Sequence, residues 1–413
     1  MGKLSDKKYV GRLSLLLASI YFVSYLTRIN YTAVLVEIIN ELHITKTEAS
    51  YAVTASFITY GVGQLLSGFL GDRIKPQYLI FGGLIVTSAM NVSVSLCSSP
   101  LELVLFWGIN GLAQAFMWPP IVKIMSDLLS DSDYGNVCVL VSCGSASATI
   151  SVYLLTPLFI RFCGYRSVFV FSAVSGLAMA VILMFAFPKI ISHADKASDT
   201  AGKVGIAEVR KKRFVFTPTV AAVFTVILGT LTLQGLLRDG VLTWMPTYVS
   251  EVFDLDAGIS ILTSVILPVF TIFANKAAVS LNRRLIKNEM LCAAALFALG
   301  TFGAVYIFVC NSAGIFSTLL AAALLSGAMH GINVILTCMI PLYFAEFGKV
   351  SFVSGLVNSF VYVGSAVSTY GFAVISDNFG WRTTVLSWVI ISLSGAGVCL
   401  VGAALWKKFK ASM

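Results

Sequence analysis

Two arginines, Arg28 and Arg238, stand inside apolar stretches long enough to cross a bilayer, 210 residues apart. A guanidinium at bilayer depth costs roughly 3 kcal/mol on insertion scales, so it is expected to face a watery cavity or an anionic partner. Its planar fork grips phosphate or carboxylate oxygens two at a time, and a second arginine helps neutralise a dianion as water is stripped from it. The alternative is a pair of structural arginines, satisfied by backbone carbonyls or by Asp239, the next residue in the chain. Tyr21, Tyr25 and Arg28 recur at spacings of four and three and therefore share one helical face. Successive helical side chains point about 100° apart, so Asp239 is not expected to share Arg238's orientation. It could pair with Arg28, accept a proton or cap a packing contact.

The elements that carry these residues follow from composition. The chain is 58% hydrophobic and 11% charged, with a mean hydropathy of +0.90, which excludes an ordinary soluble domain. A spanning helix needs about 20 apolar residues. Twelve such stretches are predicted, near 13–39, 48–70, 77–97, 101–129, 135–160 and 166–187, then 219–249, 257–280, 290–310, 314–342, 351–376 and 383–406. The first follows a basic start but is too long for a signal core and has no small-residue cleavage site, so it reads as a retained helix. Eight cysteines are scattered mostly through apolar segments without CxxC spacing, a pattern of neither disulfides nor metal ligands. The net charge of +9 tracks the loops of one membrane side, which the positive-inside rule explains without nucleic acid. Lys3, Lys7, Lys8, Arg12, Arg73, Lys75, the linker run Arg210–Arg213, Arg283, Arg284, Lys287, Lys349, Lys407, Lys408 and Lys410 fall on that side, against Lys46, Arg161, Arg166 and Arg382 on the other. Both termini are therefore expected in the cytoplasm.

Residues 188–217 form the one long polar stretch and read as a cytoplasmic linker between a bundle over 1–187 and another over 218–413. Internal similarity supports duplication. "GYRSVFVFSAVSG" from Gly164 answers "GWRTTVLSWVIIS" from Gly380, with Arg382 lying 216 residues after Arg166. "LGDRIK" from Leu70 weakly answers "LNRRLIK" from Leu281 at an offset of 211. An all-α integral membrane fold follows, with twelve helices in two pseudosymmetric six-helix bundles and a substrate site at mid-depth. The loop "GFLGDRIKPQ" (68–77) resembles the G-x-x-x-D-R-x-x-R/K signature of the major facilitator superfamily, making Asp72 and Arg73 candidate gating residues. Lys123, four residues before Asp127, joins them.

Three segments carry a narrower resemblance. Tyr25 and Arg28 match Y-x-x-R in the first helix, Trp118-Pro119-Pro120 match W-P-P in the fourth, and Arg238, Gly240, Trp244, Pro246 and Tyr248 match R-x-G-x-x-x-W-x-P-x-Y in the seventh. The chain thus resembles the organophosphate:phosphate antiporters, the glycerol-3-phosphate and hexose-phosphate transporters with their sensor relatives. The resemblance implies that Arg28 and Arg238 bind the substrate phosphate. The glycerol-3-phosphate branch has a lysine and an aspartate where this chain has Ile29 and Thr243, a charge pair lost together. Its second lysine corresponds to Gln64, its helix-eight glutamate falls near Thr263, a histidine aligns with Ser145, and a tyrosine aligns with His330. His330 could contact substrate, titrate with it, or simply pack between helices. Tyr21, Tyr25, Tyr60, Trp118, Asn358 and Tyr362 are the candidates for reading the organic part of the substrate.

The expected activity is secondary active transport of a small organic anion, a phosphorylated metabolite first of all, by alternating access with phosphate exchange or proton coupling. Proton-coupled symport of a sugar acid or carboxylate is the alternative, and a transporter-like sugar-phosphate sensor is a third reading. No enzyme, cofactor or metal is expected, because no nucleophile–base pair, phosphate-cradling glycine loop or ligand cluster stands out. The expected partners are the anionic substrate, phosphate or a proton, and the lipid of a cell (inner) membrane, with a monomeric protein.

Overall fold

The computed structural model describes residues 3–4, 6–44, 46–200, 217–255, 263, 265–310 and 314–412. The basic run Arg210–Arg213 of the expected linker lies outside them. The described chain is helical almost throughout: α1 (Lys7–Ala33), α2 (Leu35–Leu42), α3 (Lys46–Gly71), α4 (Pro76–Ser95), α5 (Pro100–Gln114), α6 (Trp118–Leu128), α7 (Asp131–Cys163) and α8 (Arg166–Thr200). Then come α9 (Pro218–Phe253), α10 (Ile266–Arg284), α11 (Glu289–Val309), α12 (Ile315–Val334) and α13 (Val350–Ser412), the last broken at Gly380. Eleven helices among the described residues are long and apolar enough to cross a membrane. The eighth predicted span, 257–280, falls partly outside the described residues and continues as α10, which ends in Arg283 and Arg284.

Polar residues mark where helices start. Asp6, Ser130, Thr217 and Asn288 each accept a backbone N–H of the first turn with their side chains, and Ser99 and Glu102 form a reciprocal capping box ahead of α5. Between these signals the helices are apolar on most faces, because one side packs on protein and the other meets hydrocarbon. Leu101, Phe162, Phe185, Phe302 and Phe316 remain more than two-thirds exposed, an arrangement stable only in lipid.

The chain divides into two compact units, residues Met1–Phe214 with Ile340–Ser359, and Val215–Met339 with Phe360–Met413. Residues 340–359 thus group with the first unit, although the expected C-terminal bundle runs unbroken over 218–413. In the first unit α1 packs on α7 and α8, α3 on α5, and α4 on α5 and α8. In the second, α9, α10 and α11 all pack on α12.

Two local features repeat. Gly164 and Gly380 sit at φ 79°, ψ 158° and φ 75°, ψ 171°, a left-side conformation that a Cβ disfavours. The backbone therefore turns the same way at both ends of the 216-residue repeat. The fourth helix of each repeat is also irregular just ahead of a proline. The predicted span 101–129 breaks over residues 115–117 before Pro119 and Pro120, and α12 widens into a π-helix over Ile335–Met339 before Pro341. Proline lacks an N–H and its ring crowds the carbonyl four residues back, so the helix must open there. In the first repeat that carbonyl belongs to Ala115, and the Gln64 side-chain amide donates to it at 3.2 Å.

Candidate anion-binding site

The first arginine is held by aromatic rings. The half-buried Arg28 places its guanidinium carbon 4.4 Å from the Tyr60 ring centre, 5.4 Å from Tyr25 and 5.9 Å from Phe57. Tyr21 lies 5.1 Å from Tyr25 and 5.0 Å from Trp118, ring to ring. Tyr21, Tyr25, Tyr60 and Trp118 therefore gather around one face of α1, as the four-and-three spacing requires. Ile29, standing where the lysine of the glycerol-3-phosphate branch would be, packs with Tyr25 against Leu26, Ala148 and Val152.

A buried amide and hydroxyl network, unforeseen from sequence, fixes the rotation of α1. Ser24 donates to Gln114 at 2.6 Å, and Gln114 donates to Thr27 at 2.7 Å and Thr87 at 2.9 Å. Thr87 in turn donates to Asn110. Asn110 and Asn91 both donate to the Thr27 carbonyl, at 3.2 and 3.1 Å, and Asn30 donates to Asn91 at 2.7 Å and to Ser172 at 3.0 Å. All these residues are buried. Rotating α1 would orphan several of them together, at about 1–3 kcal/mol for each group left unsatisfied. Polar residues at 24, 27 and 30, and the pairs 87/91 and 110/114, are the sequence signal that could have revealed this network.

The second arginine is held by a carboxylate, the arrangement in which Asp239 satisfies its neighbour. Arg238 donates from Nε to Asp239 Oδ1 and from Nη2 to Oδ2, both at 2.7 Å. The flexible arginine stem curls back far enough to offset the 100° between adjacent Cβ directions, a reach that a helical wheel omits. Asn333 accepts from Nη1 at 3.0 Å, and the Tyr362 ring centre lies 5.4 Å from the guanidinium carbon. Ser365 donates to Asp239 Oδ2. Arg238 is only 5% exposed. Asn333 and Ser365 were not anticipated; each lies three residues after a singled-out residue, His330 and Tyr362, and so on the same helical face. His330 is half-buried, within electrostatic reach of Arg238 and Asp239.

The other singled-out residues divide. Gln64 is fully buried, with its amide nitrogen on Ala115. Ser145 donates to the Ser142 carbonyl of its own helix at 2.7 Å. Asn358 is buried and belongs to the first compact unit. Trp244 of the α9 motif donates to the Thr369 carbonyl at 3.1 Å, and Tyr248 packs on Trp381 and Trp388.

The loop residue Asp72 accepts from the backbone N–H groups of Ser351 and Phe352, both at 3.0 Å, capping the start of α13. A methyl on Gly68 would come within 2.7 Å of the Ser351 carbonyl oxygen, so glycine is what permits this approach. Burial pushes the Asp72 carboxyl above its ordinary value, against the pull of those two hydrogen bonds and of Lys123 and Lys349. Arg73 is exposed with its guanidinium carbon 3.8 Å from the Phe69 ring centre, and Lys123 pairs with Asp127 at 2.6 Å.

The chain belongs to the Major Facilitator Superfamily, whose family profile matches residues 17–289. Its fold matches the solved proton:xylose symporter XylE bound to 6-bromo-6-deoxy-D-glucose, with a TM-score of 0.74 over 98% of this chain and 96% of that one, at 13% identity. Among named relatives, the glycerol-3-phosphate transporter of Bacillus subtilis is 25% identical over 386 residues, 87% of this chain and 84% of that one. A probable hexose phosphate transport protein of Chlamydia muridarum is 28% identical over 191 residues, 46% of this chain. The match spans about two fifths of that relative's length. The resemblance to organophosphate transporters is thus met by named relatives, which are transporters and not enzymes.

Proposed function

We propose that this chain is a secondary active transporter for a small organic anion, a phosphorylated metabolite first of all, with Arg28 and Arg238 both engaging the anion. The observation that carries this reading is Arg238: a buried guanidinium whose fork already holds a carboxylate bidentately, the geometry that phosphate oxygens require. The aromatic surround of Arg28 and the names of the relatives support it. Tyr21, Tyr25, Tyr60, Trp118 and Tyr362 contribute walls, and Asp72, Arg73 and Lys123 contribute a gate. The protein works by alternating access as a monomer in a cell (inner) membrane, with two six-helix bundles (1–187 and 218–413), a cytoplasmic linker over 188–217 and both termini in the cytoplasm. The basic loops support that orientation.

Uptake of labelled glucose 6-phosphate, glycerol 3-phosphate and phosphate into proteoliposomes tests the reading. Arg28→Lys and Arg238→Lys should each lower uptake at least tenfold while the protein still inserts, because a point charge lacks the guanidinium fork. Wild-type rates in both variants would refute the proposal, and binding without flux would mark a sensor. Asp239 favours a second reading: with one carboxylate against two arginines the site carries less positive charge than two bare guanidiniums, which suits a monoanionic sugar acid moved with a proton. Uptake of a sugar acid that phosphate fails to inhibit would select it.

A further inference from the structure

Asp239 occupies the arginine that the proposed function assigns to the substrate. Its two carboxylate oxygens meet Nε and Nη2 of Arg238 at 2.7 Å, as two oxygens of a phosphate or carboxylate ligand would. The pair is well sheltered, with side chains 6% and 16% exposed. Among the described residues, the polar and titratable groups that meet it include Asn333 and His330 on α12 and Tyr362 and Ser365 on α13. A guanidinium edge cannot serve two bidentate anions at once, and two anions crowded onto one buried cation repel strongly. Either the arriving anion takes another edge of Arg238, at a repulsive cost, or Asp239 must let go.

We infer that Asp239 is a built-in stand-in for the transported anion, and that the anion displaces it from Arg238 and leaves it to take up one proton. This rests on the reading of Arg238 as an anion-binding residue. The exchange balances: the Nε and Nη2 hydrogen bonds pass from the carboxylate to two ligand oxygens, and water supplies a proton to the released carboxylate. The resulting acid, with one O–H to donate, stays next to the Ser365 hydroxyl, which can accept. A sheltered carboxylate that has lost its cation is far costlier than the neutral acid. Anion and proton therefore bind together, and the stoichiometry of coupling is set by one residue of this chain.

Titration calorimetry of purified full-length protein with glucose 6-phosphate and with inorganic phosphate, in buffers of different ionisation enthalpy, counts the protons. Comparing wild type with Asp239→Asn cancels the ligand's own ionisation. The wild type should take up close to one more proton per bound ligand, and its affinity should fall up to about tenfold for each pH unit above neutrality relative to the variant. Asp239→Asn should bind tighter at pH 8. Ser365→Ala, which removes a donor to the paired carboxylate, should raise the pH at which the wild-type decline begins, and it keeps the test open if Asp239→Asn does not fold. Binding by Asp239→Asn where the wild type shows none would also support displacement. Equal proton counts, an unshifted pH range in Ser365→Ala, or proton uptake lost in His330→Gln but kept in Asp239→Asn would overturn it while leaving the anion site standing. If neither wild type nor Asp239→Asn binds either ligand, displacement and the phosphorylated-substrate reading fall together.

Discussion

Arg28 and Arg238 occupy equivalent places in the two repeats, yet the groups described around them differ. Arg28 sits among three aromatic rings on α1 and α3, whereas Arg238 is gripped by a carboxylate and an amide, with one ring alongside. Ring faces attract a cation by about 0.5–2 kcal/mol and ask little in desolvation. A buried ion pair is a steeper arrangement, in which removal of one member strands the other. One guanidinium thus rests against rings, and the other holds a carboxylate.

The contrast breaks first at Arg238. Arg238→Ala should destabilise the detergent-solubilised protein by about 3–5 kcal/mol, because Asp239 remains buried without its cation. Arg28→Ala should cost only about 1–2 kcal/mol. Thermal unfolding of both variants measures the difference, and equal losses would mean that the surroundings are not as unlike as they look. The buried network sharpens the picture on the first repeat. Gln114→Ala removes the hydrogen bonds to Ser24, Thr27 and Thr87 at once and should lower stability by about 2 kcal/mol. It should also slow uptake, since α1 loses the bonds that orient Arg28. An unaltered uptake rate would separate the network from arginine positioning. The smallest effect tests symmetry directly: Gly164→Ala and Gly380→Ala should each cost about 1 kcal/mol, and a clear inequality in melting temperature would show that the two turns bear different loads.

The helices were legible because hydropathy sums over twenty residues, and the arginines because a charge in such a run stands alone. Finer features were hidden for separate reasons. The Arg238–Asp239 pair stands in the sequence only as one of two alternatives, because Cβ directions set the neighbours about 100° apart while a long flexible arginine can curl back onto the next residue. The Ser24–Gln114 network escaped because single serines, threonines and amides look unremarkable in any one helix; their meaning appears only when α1, α4, α5 and α8 are brought together. Gln64 aligns with a family lysine, and its amide serves a backbone carbonyl, a role that no alignment to lysine conveys. The repeat was legible through "GYRS" and "GWRT", whose glycines adopt matching backbone angles. Glu41 and Glu251, also 210 residues apart, extend the symmetry, one pairing with Arg166 at 2.9 Å and the other accepting from Trp381 at 2.7 Å.

Gln64 also acts as a prosthetic backbone. Its amide supplies, from a different helix, the N–H that Pro119 cannot offer to Ala115, so a bend normally stabilised within one strand of chain is here braced from outside. Any movement that straightens or deepens that bend must drag the middle of α3 with it. Restoring a local donor with Pro119→Ala would make the brace redundant, and the two helices could then drift independently.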